Sequence, residues 1–210
     1  MVKETRCEKI NKIKAAFIRV GDRKELPDIS MYDVAHEAKM SPSTVYHYYP
    51  NMSALILDYL DDIFDDFTEV VRTCTESHHI THWKDINRFI QNSLSDYCDK
   101  NNIVMKILYT HHAYYEVRSS IVEKDNVLGE EIEKVYTAYF ELPKLPKTHN
   151  VFVIALEASD SVYFSRNMGL ESTSISAESI IVAESYLSHY LPDYLPRVPS
   201  VHDGSLITAR

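Results

Sequence analysis

The stretch Ser41-Pro42-Ser43-Thr44-Val45-Tyr46-His47-Tyr48-Tyr49 gathers aliphatic hydroxyls, phenols and an imidazole within a few helical turns. Such side chains hydrogen-bond to phosphate oxygens and base edges, and the Pro42 ring or the Thr44 methyl suits the methyl of a thymine. No nucleophile and base stand together beside them. The chain also lacks a Gly-x-Ser-x-Gly elbow, a phosphate-binding glycine loop and a His-Glu-x-x-His pair, so we expect no enzyme.

Two other sets of reactive side chains lead nowhere specific. His78, His79 and His82 could be assembled on paper with His111, His112 and Glu116 into a site for zinc or nickel. Neighbouring helical residues such as His111 and His112 point in different directions, however, so we expect no metal and no cofactor. Cys7, Cys74 and Cys98 are widely spaced, with no Cys-x-x-Cys pair, and read as reduced thiols. The opening MVKETRCEKINKIK has no apolar core of a signal peptide, and the longest apolar run, Val151 to Leu156, is too short to cross a bilayer. We expect a cytoplasmic protein without membrane contact.

The elements that must carry the Ser41–Tyr49 row are helices. With 45% hydrophobic residues, only 4 glycines and little strict alternation, the 210-residue chain has the composition of an all-α globular protein. Ile10, Ile13, Phe17 and Val20 recur at helical spacing ahead of Gly21, which predicts a first helix over about 5–20 closed by a C-cap glycine. Ser30 is placed to N-cap a short helix to Ala38. Ser41-Pro42 then opens another, because the serine hydroxyl accepts a free first-turn N–H and proline at the first position forfeits no hydrogen bond. Pro50 ends it. A long apolar stripe through Leu55, Ile56, Leu60, Ile63, Phe67 and Val70 predicts a fourth helix to about Arg72, with further helices near 82–99, 101–117, 120–140, 149–167 and 177–191.

Two short helices joined by a tight turn, the second rich in hydroxyls and rings, form the arrangement that places a recognition helix in a major groove. Val34, Ala35, Ala38, Met40, Val45 and Tyr49 have the spacing of a small core beneath it. Ser30, Tyr32, Lys39, Ser41, Pro42, Ser43, Thr44, Tyr46, His47 and Tyr48 are then the candidates to touch DNA. Over residues 8–60 the sequence resembles the tetracycline-repressor (TetR) family: Phe17 and Gly21, then Val34-Ala35-His36-Glu37-Ala38, Met40-Ser41, Thr44-Val45-Tyr46-His47-Tyr48-Tyr49, and Leu55 on the next helix.

The resemblance implies about nine helices, with a helix-turn-helix domain at 1–52, a helical ligand-binding and dimerisation domain at 53–192, and an extended tail at 193–210. It also implies a homodimeric regulator on a double-stranded DNA operator, by default a repressor released by a small molecule. Ala155, Ala158, Ser161, Ile180, Ala183, Leu187 and Tyr190 are small or apolar residues suited to pairing the last two helices with their mates. Tyr97, Met105, Tyr109, His112, Tyr136 and Tyr163 are candidates to line a pocket for an aromatic or cationic effector.

Two positions depart from the family pattern. Lys39 occupies the turn where most relatives have glycine, and Met52 stands where many carry a phosphate-binding lysine. Net charge is −9, yet residues 1–60 hold nine basic against eight acidic side chains, so the acid is concentrated in the remainder. Few basic groups and Met52 together motivate an alternative: a helical ligand-sensing or protein-interaction module with weakened DNA binding.

Overall fold

The computed structural model describes residues 5–110, 115–165 and 172–199, and folds as two compact units. The first comprises residues 1–67 and 95–124, the second 68–94 and 125–210. Among the described residues the architecture is all-α: α1 (Arg6–Gly21), α2 (Met31–Ala38), α3 (Pro42–Tyr48), α4 (Met52–Thr73), α5 (Trp83–Lys100), α6 (Asn102–Thr110), α7 (Tyr115–Tyr139), α8 (Val151–Phe164) and α9 (Ser172–Leu187). A single 3₁₀ turn, Leu26–Asp28, lies between α1 and α2.

In the first unit α1 starts at a capping box that the sequence reading had not singled out. The Thr5 hydroxyl accepts the Glu8 N–H at 3.2 Å, and the Glu8 carboxylate accepts the Thr5 N–H at 2.7 Å. Ile13, Phe17 and Val20 are buried with Val34, Ala35, Ala38, Val45 and Tyr49 of the expected small core; Met31 joins them, whereas Met40 is only half-buried and lines a surface cleft. Leu55, Ile56, Tyr59, Leu60, Ile63 and Phe64 of α4 extend it.

Gly21 differs from expectation. It is the last helical residue of α1, and Asp22 closes the helix in the right-handed region (φ −66°, ψ −23°). A Cβ at position 21 would lie 2.4 Å from Ile103 Cδ1, so glycine is required by the approach of α6 and not by a left-handed cap. From the same helix Lys106 donates to the carbonyls of Gly21 and Lys24 at 2.8 and 2.9 Å, satisfying groups at and beyond the end of α1.

The second unit is built on the first turns of α5, the later turns of α7, and α8 with α9. Trp83, Ile86, Leu128, Ile132, Tyr136, Phe152, Leu156, Ala183 and Leu187 are buried there. A Cβ at Gly129 would come within 2.2 Å of Val153 Cγ2, so this glycine lets α7 and α8 touch. Residues 193–199, part of the expected extended tail, are held to the unit. Glu141 N–H donates to Pro196 at 2.8 Å and Val198 N–H to Tyr139 at 3.0 Å around an antiparallel bridge of Phe140 with Arg197. The Trp83 indole N–H also donates to the Pro192 carbonyl at 3.0 Å.

Candidate nucleic-acid interface

The interface is built upward from two caps. Ser30 and Asp33 form a capping box at α2: the Ser30 hydroxyl accepts the Asp33 N–H at 3.2 Å, and the Asp33 carboxylate accepts the Ser30 N–H at 2.9 Å. Lys24 also holds that carboxylate, at 2.7 Å; with the Ser30 hydrogen bonds it keeps Asp33 well below the usual carboxylate range. α2 ends at Lys39, which takes the left-handed conformation at φ 54° and ψ 42°. Its N–H donates to His36 O at 3.1 Å and that of Met40 to Ala35 O at 3.0 Å, the paired bonds of a Schellman turn. A lysine there costs about 1–2 kcal/mol of backbone strain relative to its ordinary regions.

At α3 the Ser41 hydroxyl accepts the Thr44 N–H at 3.2 Å and lies 2.7 Å from the Thr44 hydroxyl and 3.0 Å from that of Ser43. Ser30 and Ser41 are thus engaged as caps first. Val45 and Tyr49 turn inward, which leaves Ser43, Tyr46 and His47 on the exposed face with Thr44, Tyr48 and Pro42 half-buried at its edges. Tyr32 of α2 is 64% exposed and Tyr46 40%. Their rings meet edge to face with centroids 6.1 Å apart, and His47 and Tyr48 meet similarly at 5.4 Å. Lys39 is exposed beside this row. Ahead of α4 the Asn51 side-chain oxygen Oδ1 accepts the Ala54 N–H at 2.8 Å, so part of that helix start is already capped.

A surface cleft of about 710 Å³ opens beside the row, lined by Val20, Arg23, Lys24, Tyr32, Asp33, His36, Glu37, Met40 and Pro42. Arg19 reaches Glu37 at 2.7 Å and Arg23 bonds the same carboxylate, which together hold its pKa down to about 2. The sequence reading missed this cluster. Arg19 is on α1, Arg23 lies two residues past its end, and the acid they share belongs to α2, so no local pattern of the chain brings the three together.

The candidate pocket residues divide between the units. In the first, the Tyr97 hydroxyl donates to Asp66 at 2.5 Å, Met105 is half-buried and Tyr109 is 43% exposed. In the second, Tyr136 is buried with its ring 4.7 Å from that of Phe152, and Tyr163 is buried beside Phe164 at 5.4 Å. His112 lies outside the described residues. Of the candidate dimer residues, Ala155, Ala183 and Leu187 are buried within the second unit, where α8 packs on α9, so their small or apolar side chains serve the protomer itself. Ala158, Ile180 and Tyr190 keep partial exposure and Ser161 is exposed.

No protein-family model and no curated protein matches the sequence. Solved structures do. A TetR transcription regulator from Haloarcula marismortui superposes with a TM-score of 0.65 at 15% identity, over 88% of this chain and 99% of that one. A TetR-family regulator from Streptomyces coelicolor gives 0.64 at 17% identity, over 88% and 100%. One from Pectobacterium atrosepticum gives 0.64 at 15% identity, over 90% and 98%. With its helices in this order and its helix-turn-helix at the N-terminus, the chain has the fold of the TetR-family transcriptional regulators.

Proposed function

We propose that the chain is a sequence-specific DNA-binding transcriptional regulator, working as a homodimer and acting as a repressor released from its operator by a small molecule. The observation that carries this is the face of α3. A seven-residue helix buries Val45 and presents Ser43, Tyr46 and His47 outward, with Tyr32 of α2 standing beside Tyr46. Exposed phenols next to a capped helix start have no role in the core and suit base edges and phosphates. The regulator fold of the structural neighbours supports the same reading.

Dimerisation through the exposed sides of α8 and α9 accords with Ala158, Ser161 and Ile180, with Tyr190 just past the end of α9, and with Ile181, 51% exposed on α9. An aromatic or cationic effector would suit phenols such as Tyr97 and Tyr109 of the first unit. Ligand and DNA would then be linked by a coupling of about 1–3 kcal/mol.

A second reading is favoured by the charges of the first unit. Lys14, Arg19, Arg23 and Lys24 are all ion-paired, and Met52 opens α4 without a cation. These leave less charge for phosphates and suit a sensing or protein-interaction module with weakened DNA binding. Selection of bound duplexes from a random-site library at low salt, followed by gel shift, separates the two. Enrichment of a defined, inverted-repeat site supports the regulator; no enrichment, with no shift of its own upstream region, ends that reading.

A further inference from the structure

α3 has fewer than two full turns, too few to hold its own orientation. Its direction decides where Tyr46 and His47 face. On its inner side Val45 packs into the small core, and immediately beyond its last turn Tyr49 leaves the helix in extended conformation (φ −132°, ψ 105°) ahead of Pro50. The Tyr49 ring is buried, and its hydroxyl donates to Asp58 Oδ2 at 2.5 Å. Asp58 lies on α4, six residues after the helix starts. Lys14 of α1 closes the arrangement: its ammonium lies 3.0 Å from Asp58 Oδ2 and 2.8 Å from Asp62 Oδ2, and it donates to the Asp58 carbonyl at 3.1 Å. Three helical segments are therefore joined at one carboxylate.

The chemistry of that carboxylate is well provided for. Partial burial opposes its ionisation, but the Tyr49 hydroxyl and the Lys14 ammonium outweigh this and leave Asp58 below its ordinary range. Burial, then Asp58, pushes the Tyr49 phenol well upward, so it stays a donor at any physiological pH. A charge-assisted O–H to carboxylate bond of this kind is directional, unlike the apolar contact of Val45.

We propose that Asp58, acting through the Tyr49 hydroxyl, is a positioning residue for the recognition helix, fixing the rotation of α3 on which sequence discrimination depends. The inference rests on the DNA-binding reading above. Losing the bond frees α3 to rotate about its apolar contact, which blurs base readout while leaving the electrostatic attraction to any duplex in place.

The test compares full-length wild type, Tyr49→Phe, Asp58→Ala and Asp58→Asn on the duplex enriched from the random-site library and on a scrambled duplex of equal length. Circular dichroism checks folding. Tyr49→Phe and Asp58→Ala are expected to lower the ratio of selected to scrambled affinity by about tenfold, the scale of one lost specific contact, with scrambled-duplex affinity unchanged. Asp58→Asn retains an acceptor for the phenol and is expected to restore the wild-type ratio. If Asp58→Ala unfolds, Tyr49→Phe, which keeps the buried ring, decides alone. A folded Tyr49→Phe protein with wild-type discrimination overturns the proposal; a wild type that enriches no site removes the DNA-binding reading and the proposal with it.

Discussion

Tyr32 and Tyr46, on different helices, face each other edge to face at 6.1 Å, and both remain exposed. An aromatic pair of that geometry is ordinarily a core feature worth about 0.5–1.5 kcal/mol. Here it lies on the surface of the helix-turn-helix. Tyr46→Ala should therefore weaken binding to a selected site by about 1–3 kcal/mol while thermal stability changes little, and Thr44→Ala should act in the same direction. Lys39→Ala should cost far less. Competition gel shifts with selected and scrambled duplexes measure each.

Salt dependence isolates the missing cation at α4. Met52→Lys should steepen the fall of log affinity with log salt by about one unit, because one more phosphate contact releases one more counterion. An unchanged slope would place position 52 away from the DNA backbone.

Gly21 gives the clearest packing test. With Ile103 Cδ1 2.4 Å from the site of a Cβ, Gly21→Ala should destabilise the fold by about 1–3 kcal/mol through overpacking, despite alanine's better helix propensity. Pairing it with Ile103→Ala should recover part of the loss at that contact. Denaturant titrations of the single and double variants report the coupling.

The carboxyl of Asp125 predicts an unusual pH response. Burial and the nearby Glu157 raise its pKa from 3.8 to about 7, so the folded chain keeps a proton that the unfolded chain has already released. Stability from this group is therefore full below pH 3.8 and declines as pH rises towards 7. Asp160, raised well above its usual range by burial and by Asp125, adds in the same sense. Asp125→Asn should flatten this decline and raise stability by about 1–2 kcal/mol at neutral pH. Glu37 runs the other way: with its pKa held near 2, its exposed ion pairs are intact above 4.5 and fade as pH falls towards 2. Thermal melts across the two ranges separate them.

Local chemistry was the part legible in the sequence. Ser30 and Ser41-Pro42 announce their helices because caps depend on a few adjacent residues, and the apolar spacing of α1 and α4 marks the faces that are buried. α9 starts five residues before its expected position; Ile175, Ile180, Ile181, Val182, Ala183 and Leu187 surround it, so periodicity offers no phase from which to read its limits. Gly21 carries the same letter whether it caps a helix or admits Ile103, and only the partner decides. Ala155 and Ala183 show the same ambiguity, since small residues suit close packing within a protomer as well as between two. Arg19 with Glu37 and Tyr49 with Asp58 join different helices, and no spacing along the chain forecasts such pairs.

The bridge of Phe140 with Arg197 makes a ring of the chain between them. α8 and α9 both lie inside that ring, so neither can be peeled away from an end without first undoing the bridge. While it holds, the clasp limits the freedom of the chain between its ends, as the closure of any long loop does. Freeing α8 and α9 from that side therefore requires the bond of Val198 to Tyr139 and the pairing at Arg197 to open first.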